Sequence, residues 1–495
     1  MTTTALRFAA SLLAAASAVA ATPSQVLPAS TAQHTVDVDV AIVGAGASGA
    51  YAAIRLKEDF GKSIAVIDKS SRLGGHVSTF DDPLTGKPFD FGVNSYNDYG
   101  PAKEFFNRLG ISFSVAPRVA LTQRFVDFET GRPVAYQPSS NQDRTAALQK
   151  FLTVTEPYEK FLLPGYWNFP QPRDIPEDLL LPFAQFVNKY NISACANQVF
   201  EVTGMGVGDF QNSLTMYVLS AFGPPMIRTF LGNGTIFTPD SRRNIEVYEK
   251  IQARLGSDLL LGSTVVQSER TDNGHKLWVK NGSTGQYTLV KAKKLLISIQ
   301  PTKQNMEPFK LDRTEKAVFD KLEHSVVHCG IVAHPSLPID VSIVNIPAAG
   351  APTNYMALPK PDFNARFDYM GGNSTNWRVL MVGKKNLSKD KAQGIVNKNF
   401  EDMVKRGTLP SGGPAKLEIK AWSDHGAMHM HAPASEIRNG FIQKQYALQG
   451  HKGTWWTGGA FSHQFQAVLW AFDDILITKM LAHLPPTTKS LGAKC

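Results

Sequence analysis

A glycine-rich turn that directly follows an apolar stretch constrains the fold of this chain more than any other feature. Residues 36–43 alternate and then run apolar, which predicts a buried parallel strand. The turn GAGASG follows at residues 44–49 and opens a helical stretch. In this setting Gly44 permits the tight turn, Gly46 lets the backbone approach a pyrophosphate, and Gly49 lets the helix pack closely on the strand. The sequence therefore predicts an α/β fold of the Rossmann type that binds a dinucleotide at the helix N-terminus.

An acidic residue stands where such a fold needs one. Residues 63–67 form a second apolar stretch, and Asp68 follows it. In dinucleotide-binding folds an acidic side chain roughly 20 residues beyond the turn accepts hydrogen bonds from the ribose hydroxyls. We predict this role for Asp68, and the alternative is an ordinary surface acid at the end of a strand.

A second glycine motif separates FAD from NAD. The segment RLGGHVST at residues 72–79 places Gly74 and Gly75 where their backbone can give further donors to a pyrophosphate, while Arg72 can offset its charge. The segment resembles the second dinucleotide motif of flavoprotein oxidases, with His76 where amine oxidases usually carry Arg. The resemblance implies that the cofactor is FAD.

Two later segments resemble further parts of the cofactor site in the same architecture. The predicted strand at residues 259–266 matches one whose backbone contacts adenine, which assigns Val265 to the cofactor. Near the C-terminus, a predicted strand and the glycines of WWTGGAFS precede an amphipathic helix predicted over residues 463–484. The N-terminus of that helix faces the flavin in the architecture, which assigns Gly459 and Phe465 to the cofactor as well.

Over nearly its full length beyond the N-terminal leader, the chain resembles the flavin amine-oxidase superfamily. The closer resemblance is to the beta-cyclopiazonate dehydrogenase kind of fungal natural-product oxidoreductase. It is carried by RLGGH at residues 72–76, DFGV at 90–93, YALQG at 446–450 and WWTGG at 455–459. The resemblance implies a Rossmann-type FAD domain interleaved with an α+β substrate domain.

The length of the chain agrees with two domains, because 495 residues exceed what a single core usually holds. We predict that the FAD domain comprises residues 36–100, 225–305 and 440–485. The substrate domain then comprises residues 101–224 and 306–439.

The resemblance also implies a reaction. Members of the subfamily remove a hydride from a natural-product intermediate, and the resulting cation can cyclise. We therefore expect an FAD-dependent oxidoreductase for a small hydrophobic substrate, with oxygen or another electron acceptor. Ala460 stands where amine oxidases usually carry Glu or Asp, and Gln464 replaces an aromatic-cage Tyr, which disfavours a simple amine. An amine or polyamine oxidase, a prenylcysteine-oxidase-like enzyme and a non-catalytic flavin-binding protein remain the alternatives.

Four side chains are candidates for a role in the chemistry. Lys303 resembles the lysine that holds a water near the flavin in many relatives, and an exposed loop lysine is the alternative. The run DHGAMHMHAP at residues 424–433 offers His429 and His431 as bases near the substrate or flavin, and His463 precedes the last helix. Structural roles are the alternative for the histidines. We expect no metal site, because no acid or Cys cluster matches their spacing.

The charge and the cysteines exclude some other classes. The chain has 51 Lys and Arg against 42 Asp and Glu, but its basic residues are spread out, so we expect no nucleic-acid partner. The three cysteines Cys195, Cys329 and Cys495 are too few for a disulfide scaffold. None lies in the C-terminal flavin segment, so we expect non-covalent FAD.

The N-terminus and the sequons indicate the secretory pathway. Residues 1–20 combine one Arg, an Ala- and Leu-rich run and a small-x-small site, as a signal peptide does. No later segment is long and apolar enough to predict a membrane span. Glycosylation candidates are Asn191, Asn233, Asn281, Asn373 and Asn386.

Overall fold

The computed structural model describes residues 27–117, 120–207 and 209–482. The predicted signal peptide at residues 1–20 and Cys495 lie outside these residues. The strands are β1 (His34–Val43), β2 (Ile64–Ile67), β3 (Thr79–Asp81), β4 (Pro88–Asp90), β5 (Tyr96–Asn97), β6 (Phe113–Val115), β7 (Thr122–Asp127), β8 (Arg132–Pro133), β9 (Ile236–Pro239), β10 (Leu259–Leu260), β11 (Ser263–Thr271), β12 (Gly274–Asn281), β13 (Tyr287–Ile297), β14 (Glu323–Ala333), β15 (Val341–Asn345), β16 (Phe363–Tyr369), β17 (Trp377–Lys384), β18 (Glu418–His431) and β19 (Thr454–Trp456).

The α-helices connect and cover these strands. They are α1 (Ala47–Ile54), α2 (Ala102–Leu109), α3 (Asn141–Thr155), α4 (Glu159–Leu162), α5 (Glu177–Leu180), α6 (Phe183–Tyr190), α7 (Ala196–Val207), α8 (Thr215–Ala221), α9 (Pro224–Phe230), α10 (Glu246–Leu255), α11 (Lys303–Met306), α12 (Arg313–Phe319), α13 (Lys389–Lys405), α14 (Ala434–Arg438), α15 (Phe441–Tyr446) and α16 (Gln466–Leu481). The structure is thus mixed α/β, as the sequence predicts.

The first sheet has the order β10–β2–β1–β13–β12–β11, and β19 pairs with the end of β13 that extends beyond β12. The pairs β1–β2, β1–β13, β2–β10 and β13–β19 are parallel, while β11, β12 and β13 form an antiparallel meander. Val43 is in register with Ile67 on one side and with Ile297 on the other. Because parallel strands end at the same edge of a sheet, the turns after β1, β2, β13 and β19 meet there. In open α/β sheets this edge is where ligands bind.

The second sheet has the order β18–β14–β17–β16–β15–β7–β8 and is antiparallel except for the pair β15–β7. One of its faces packs on α13, where Met381 and Val379 of β17 join Phe400 and Met403 of the helix in a common core. Its strands come from residues 122–133 and 323–431, whereas the first sheet takes its strands from residues 34–67, 259–297 and 454–456. The predicted domain boundaries themselves stay a prediction.

The last helix differs from its prediction. It spans Gln466–Leu481, whereas the predicted end at residue 484 lies outside the described residues. The sequence predicts an amphipathic helix, but α16 is buried around most of its circumference, because α1 and the aromatic side chains of Tyr96 and Trp167 pack on different sides of it. Within the described residues, we find no helix with the length and apolarity needed to cross a bilayer.

Candidate functional site

The glycine turn after β1 is built as its sequence predicts. Gly44 has φ +100°, a conformation that side chains disfavour. A Cβ on Gly49 would lie 1.9 Å from the carbonyl oxygen of Gly44, so only glycine permits this approach of helix to turn. The backbone N–H of Ala45 donates to Oδ2 of Asp68 at 2.6 Å, and the N–H of Ser70 donates to its Oδ1 at 2.8 Å. Asp68 therefore joins the turns after β1 and β2.

The two glycine motifs face each other. A Cβ on Gly75 would lie 3.0 Å from the Cα of Gly46, and Gly75 has φ +53°. The N–H of Gly74 donates to the carbonyl oxygen of Ala45 at 2.9 Å, which holds the second motif against the first. The two backbones thus form a cradle without side chains, and such a cradle suits the pyrophosphate of a dinucleotide.

A cavity of about 2420 Å³ opens at this edge of the first sheet and reaches the second sheet. We call it the main cavity. Ligand sites for small molecules usually measure about 300 to 1,000 Å³, so there is room for a large cofactor with a substrate beside it. Seven of the predicted cofactor residues line the main cavity, namely Gly44, Gly46, Asp68, Gly74, Gly75, Val265 and Gly459.

Three other predicted cofactor residues take supporting positions. Gly49 lies within α1 behind the turn. The guanidinium of Arg72 donates to the carbonyl oxygen of Leu73 at 3.0 Å and to the hydroxyl of Ser78 at 3.4 Å, so it braces its own loop. Phe465 immediately precedes α16 and packs against the hydrophobic core. Direct contact of these three with the cofactor stays a prediction.

Two histidines that lie far apart in the sequence stack on each other in the lining of the main cavity. The rings of His76 and His425 are stacked, with centroids 4.5 Å apart and planes inclined by 12°. Beside them the hydroxyl of Ser78 donates to that of Ser423 at 3.0 Å, so β18 docks on the second glycine motif. Burial lowers the pKa of both imidazoles, which keeps them neutral. The sequence gives no sign of this pair, because His76 lies in the loop after β2 and His425 lies in β18, far away in the chain.

A second, smaller cavity adjoins the main one. We call it the inner pocket; its volume is about 40 Å³. Its lining residues are Tyr166, Ser213, Tyr217, Ser220, Ala221, His429, Met430, His431, Gly459, Ala460, Ser462, His463 and Gln464. Ser213, Met430, His431, Gly459 and Gln464 also line the main cavity, so the two cavities are direct neighbours.

The inner pocket brings together three of the four candidate side chains. His429 is buried, and its Nδ1 lies 2.9 Å from the hydroxyl of Ser325. His463 is buried, and its Nε2 lies 2.9 Å from the carbonyl oxygen of Leu162. His431 is partly exposed, and its Nδ1 lies 2.7 Å from the carbonyl oxygen of His429. Their catalytic roles stay predictions, but all three line the pocket that adjoins the main cavity.

The fourth candidate lies elsewhere. Lys303 is exposed, begins the short helix α11 and lines the main cavity rather than the inner pocket. In the part of the chain that the structure describes, no group of three or more His, Cys, Asp and Glu side chains is arranged to hold a metal ion.

A buried acid links the C-terminal segment to the last helix. Asp473 of α16 is fully buried and accepts a hydrogen bond from the hydroxyl of Thr457, which directly follows β19. Burial raises its pKa to about 8, so the carboxyl group keeps its proton in neutral solution. The sequence does not predict Asp473 as a site residue, because an acid within an apolar helix belongs to no cofactor motif.

The site fits the FAD that the sequence predicts. The cradle offers backbone donors without side chains, Asp68 offers a carboxylate beside it, and the cavity exceeds the space that a substrate alone would need. The described cysteines, Cys195 and Cys329, are buried in α-helical and β-sheet surroundings away from the two cavity linings, and burial raises the pKa of each thiol to about 12. Neither is placed for a covalent bond to the cofactor.

Comparisons with known proteins agree with this site. The chain is 30% identical to the beta-cyclopiazonate dehydrogenase of Aspergillus flavus over 455 residues, which cover 90% of this chain and 93% of the relative. It is 32% identical to an FAD-dependent oxidoreductase of Monascus ruber over 432 residues, which cover 86% of this chain and 88% of the relative. The NAD(P)-binding Rossmann-like domain family matches residues 42–109.

Solved structures show the same fold at low identity. A fatty acid isomerase from P. acnes that produces CLA superposes with a TM-score of 0.69 at 17% identity, covering 89% of this chain and 98% of its own. Cyclohexylamine oxidase from Brevibacterium oxydans superposes with a TM-score of 0.58 at 16% identity, covering 90% of this chain and 100% of its own. The fold is therefore that of the flavin amine oxidases.

Proposed function

Because this chain belongs to the family of FAD-dependent oxidoreductases that includes the beta-cyclopiazonate dehydrogenase of Aspergillus flavus, we propose that it oxidises a small hydrophobic natural-product intermediate by hydride removal. One observation carries the proposal: the glycine cradle lines the main cavity, and the inner pocket adjoins that cavity through shared lining residues. A cofactor held at the cradle and a substrate at the pocket would then lie next to each other in the same cleft.

Different residues of the main cavity would bind different parts of the cofactor. Gly46 and Gly75 would hold the pyrophosphate of FAD and Asp68 its ribose, and Val265 and Gly459 line the same cavity. When bound, FAD supplies a two-electron acceptor, and the protein binds, orients and desolvates the substrate. Oxygen or another acceptor would regenerate the cofactor, and a cyclisation of the oxidised product can follow in solution or in the site.

The lining of the inner pocket supports a neutral substrate over a simple amine. Its thirteen lining residues include aromatic, apolar and neutral polar side chains and three histidines, but no Asp or Glu. An ammonium group would need a carboxylate or an open aromatic cage to offset the loss of water. Ala460 and Gln464 stand where the amine-oxidase pattern carries an acid and a tyrosine, which agrees with this preference.

Anaerobic titration of the purified flavoprotein tests the proposal. We expect the visible flavin absorption to bleach with a hydrophobic natural-product substrate such as beta-cyclopiazonate, and to stay unchanged with putrescine or cyclohexylamine. Readmitting oxygen then shows whether oxygen restores the absorption or another acceptor is needed. Bleaching by the amines alone would support an amine oxidase instead, and photoreduction without bleaching by any candidate would support a non-catalytic flavoprotein.

We also propose that the chain enters the secretory pathway through residues 1–20. Four of the five sequons offer exposed asparagines, namely Asn191, Asn233, Asn373 and Asn386. Asn281 is partly buried, and its Oδ1 accepts hydrogen bonds from the N–H groups of Ser283 and Thr284 in a tight turn. Expression in a fungal host should give a secreted or vesicular protein whose mass falls on deglycosylation, with Asn281 unmodified in peptide mapping. A cytosolic protein that retains its leader would contradict the proposal.

A further inference from the structure

His463 lines the inner pocket and has an unpaired acceptor nitrogen. Its Nε2 lies 2.9 Å from the carbonyl oxygen of Leu162. A carbonyl oxygen can only accept, so Nε2 carries the hydrogen and donates it, and Nδ1 of the neutral ring is left as an acceptor. Nδ1 is buried and has no hydrogen-bond partner within the described residues. The side chain is only 2% exposed, so bulk water does not satisfy this atom.

His429 lines the same pocket and has a second unpaired nitrogen. The hydroxyl of Ser325 donates to the carbonyl oxygen of Met428 at 3.3 Å and lies 2.9 Å from Nδ1 of His429. A hydroxyl has one hydrogen, so it accepts from Nδ1 when it donates to Met428. Nε2 of His429 is then the acceptor, and it too is buried without a partner in the described part of the chain.

The backbone holds His429 in a costly conformation. Its φ is +56°, although it lies within β18 and carries a full side chain. The register between β14 and β18 shifts at this point, between the pairs of Glu323 and Ser325. Left-handed backbone at a residue other than glycine is uncommon and costs free energy. The surrounding strands therefore fix the position of this imidazole.

Burial keeps both acceptors available at neutral pH. It lowers the pKa of His429 to about 3 and that of His463 to about 4, and the neighbouring imidazoles of His431 and His76 lower the first further. No carboxylate lines the inner pocket that would raise these pKa values again and favour the protonated imidazoles. Two neutral acceptors thus line a small space of about 40 Å³.

We propose that Nδ1 of His463 and Nε2 of His429 recognise a neutral N–H or O–H donor on the substrate, while the rest of the substrate lies in the main cavity. The inner pocket admits one such group, whose hydrogen pairs with one of the two acceptors, whereas an analogue without the donor leaves both buried acceptors unpaired. This assignment rests on the proposed function and adds the chemical class of the substrate: a hydrophobic molecule with a hydroxyl or N–H group at the end that enters the pocket.

Binding of phenol and anisole to the FAD-loaded protein tests the assignment. The two probes differ by a methyl group that replaces the donor hydrogen, and each is titrated while the visible flavin absorption is recorded. We expect phenol to bind about 10 to 100 times more tightly than anisole, since an unpaired buried acceptor costs roughly 1 to 3 kcal/mol. In His463→Leu and His429→Leu the ratio should fall below about 3.

Matched variants separate recognition from folding. His275 is also a buried imidazole with Nε2 near a backbone carbonyl oxygen and an unpartnered Nδ1, but it lies outside both cavities, so His275→Leu should keep the ratio. His463→Gln retains a donor for Leu162 and an acceptor, and should restore part of the preference even if His463→Leu folds poorly. Equal ratios in the wild type, both Leu variants and His275→Leu would overturn the proposal.

Failure of this assignment can be distinguished from failure of the proposed function. A wild-type preference for phenol that His463→Leu abolishes would support the recognition even if no natural product bleaches the flavin. Bleaching by a natural product without any effect of His429→Leu or His463→Leu on the probe ratio would support the oxidoreductase function and overturn the recognition.

Discussion

The cofactor side and the substrate side of the site are built in different ways. The cofactor side consists of backbone: the turns after β1, β2, β13 and β19 meet at one sheet edge, and glycines let them approach. The substrate side consists of side chains from distant segments, with Tyr166, His429 and His463 converging on the inner pocket. A backbone site tolerates almost no added atom, whereas a side-chain site can change its specificity by single substitutions. The three predictions below test this difference.

The largest effect is expected from Gly49→Val on the cofactor side. The new Cβ would lie 1.9 Å from the carbonyl oxygen of Gly44, and neither backbone can move without opening the turn. We expect loss of FAD binding and a fall in stability of several kcal/mol, as for other strained or overpacked core substitutions. The flavin absorption of the purified protein and thermal unfolding measure the two effects.

A second glycine provides the control. Gly394 lies in the exposed part of α13, and a Cβ there would meet no atom within 4 Å. Gly394→Ala should leave FAD binding unchanged and stabilise the protein by roughly 0.5 to 1 kcal/mol, because alanine favours the helix. If both variants lost FAD, sensitivity to glycine replacement would be a property of the whole chain and the comparison would fail.

The predictability of the cofactor side follows from its contiguous motifs. The patterns at residues 36–43 and 63–67 predict two strands, and the structure contains them as His34–Val43 and Ile64–Ile67. A turn motif determines where its own backbone goes, so Gly44, Gly75 and Asp68 could be placed at one site from local sequence alone. The burial of α16 could not be predicted, because it depends on which elements pack on each side of the helix.

The substrate side is less predictable because its geometry arises from the packing of two sheets. The histidine run could be singled out by composition, but the register of β14 and β18 decides that His429 enters the inner pocket while His425 stacks on His76. The hydrogen bond of His463 to Leu162 joins segments far apart in the sequence. Such positions depend on long-range contacts, for which a single sequence carries no signal.

An intermediate effect is expected from Asp473→Asn, which probes how the cofactor segment is anchored. Burial raises the pKa of Asp473 from 3.8 to about 8, so the folded protein keeps this proton to a higher pH than the unfolded chain does. As the pH rises from about 4 to about 8, the free energy of unfolding therefore falls, by at most about 1.4 kcal/mol per pH unit from this group.

The amide of the variant carries no titrating proton, so it removes this loss. Relative to the wild type, Asp473→Asn should gain about 1 to 3 kcal/mol in its free energy of unfolding between pH 5 and pH 7.5. Chemical denaturation at the two pH values measures the difference. If the free energies of unfolding of Asp473→Asn and the wild type differed by the same amount at both pH values, the carboxyl group of Asp473 would be ionised in the folded protein. A nearby positive charge would then have to stabilise it.

The smallest effect on activity is expected from Lys303→Gln, since Lys303 lines the main cavity but not the inner pocket. Lys303 is exposed at the start of α11, where water solvates its ammonium group and salt screens its charge. We expect kcat/KM to change less than about threefold once a substrate is known, and FAD affinity to change as little. A fall of about 100-fold in kcat with unchanged FAD affinity would instead assign Lys303 to the chemistry. The main cavity would then contribute a catalytic side chain of its own, and the division between a backbone-built cofactor side and a side-chain-built substrate side would have to be redrawn around α11.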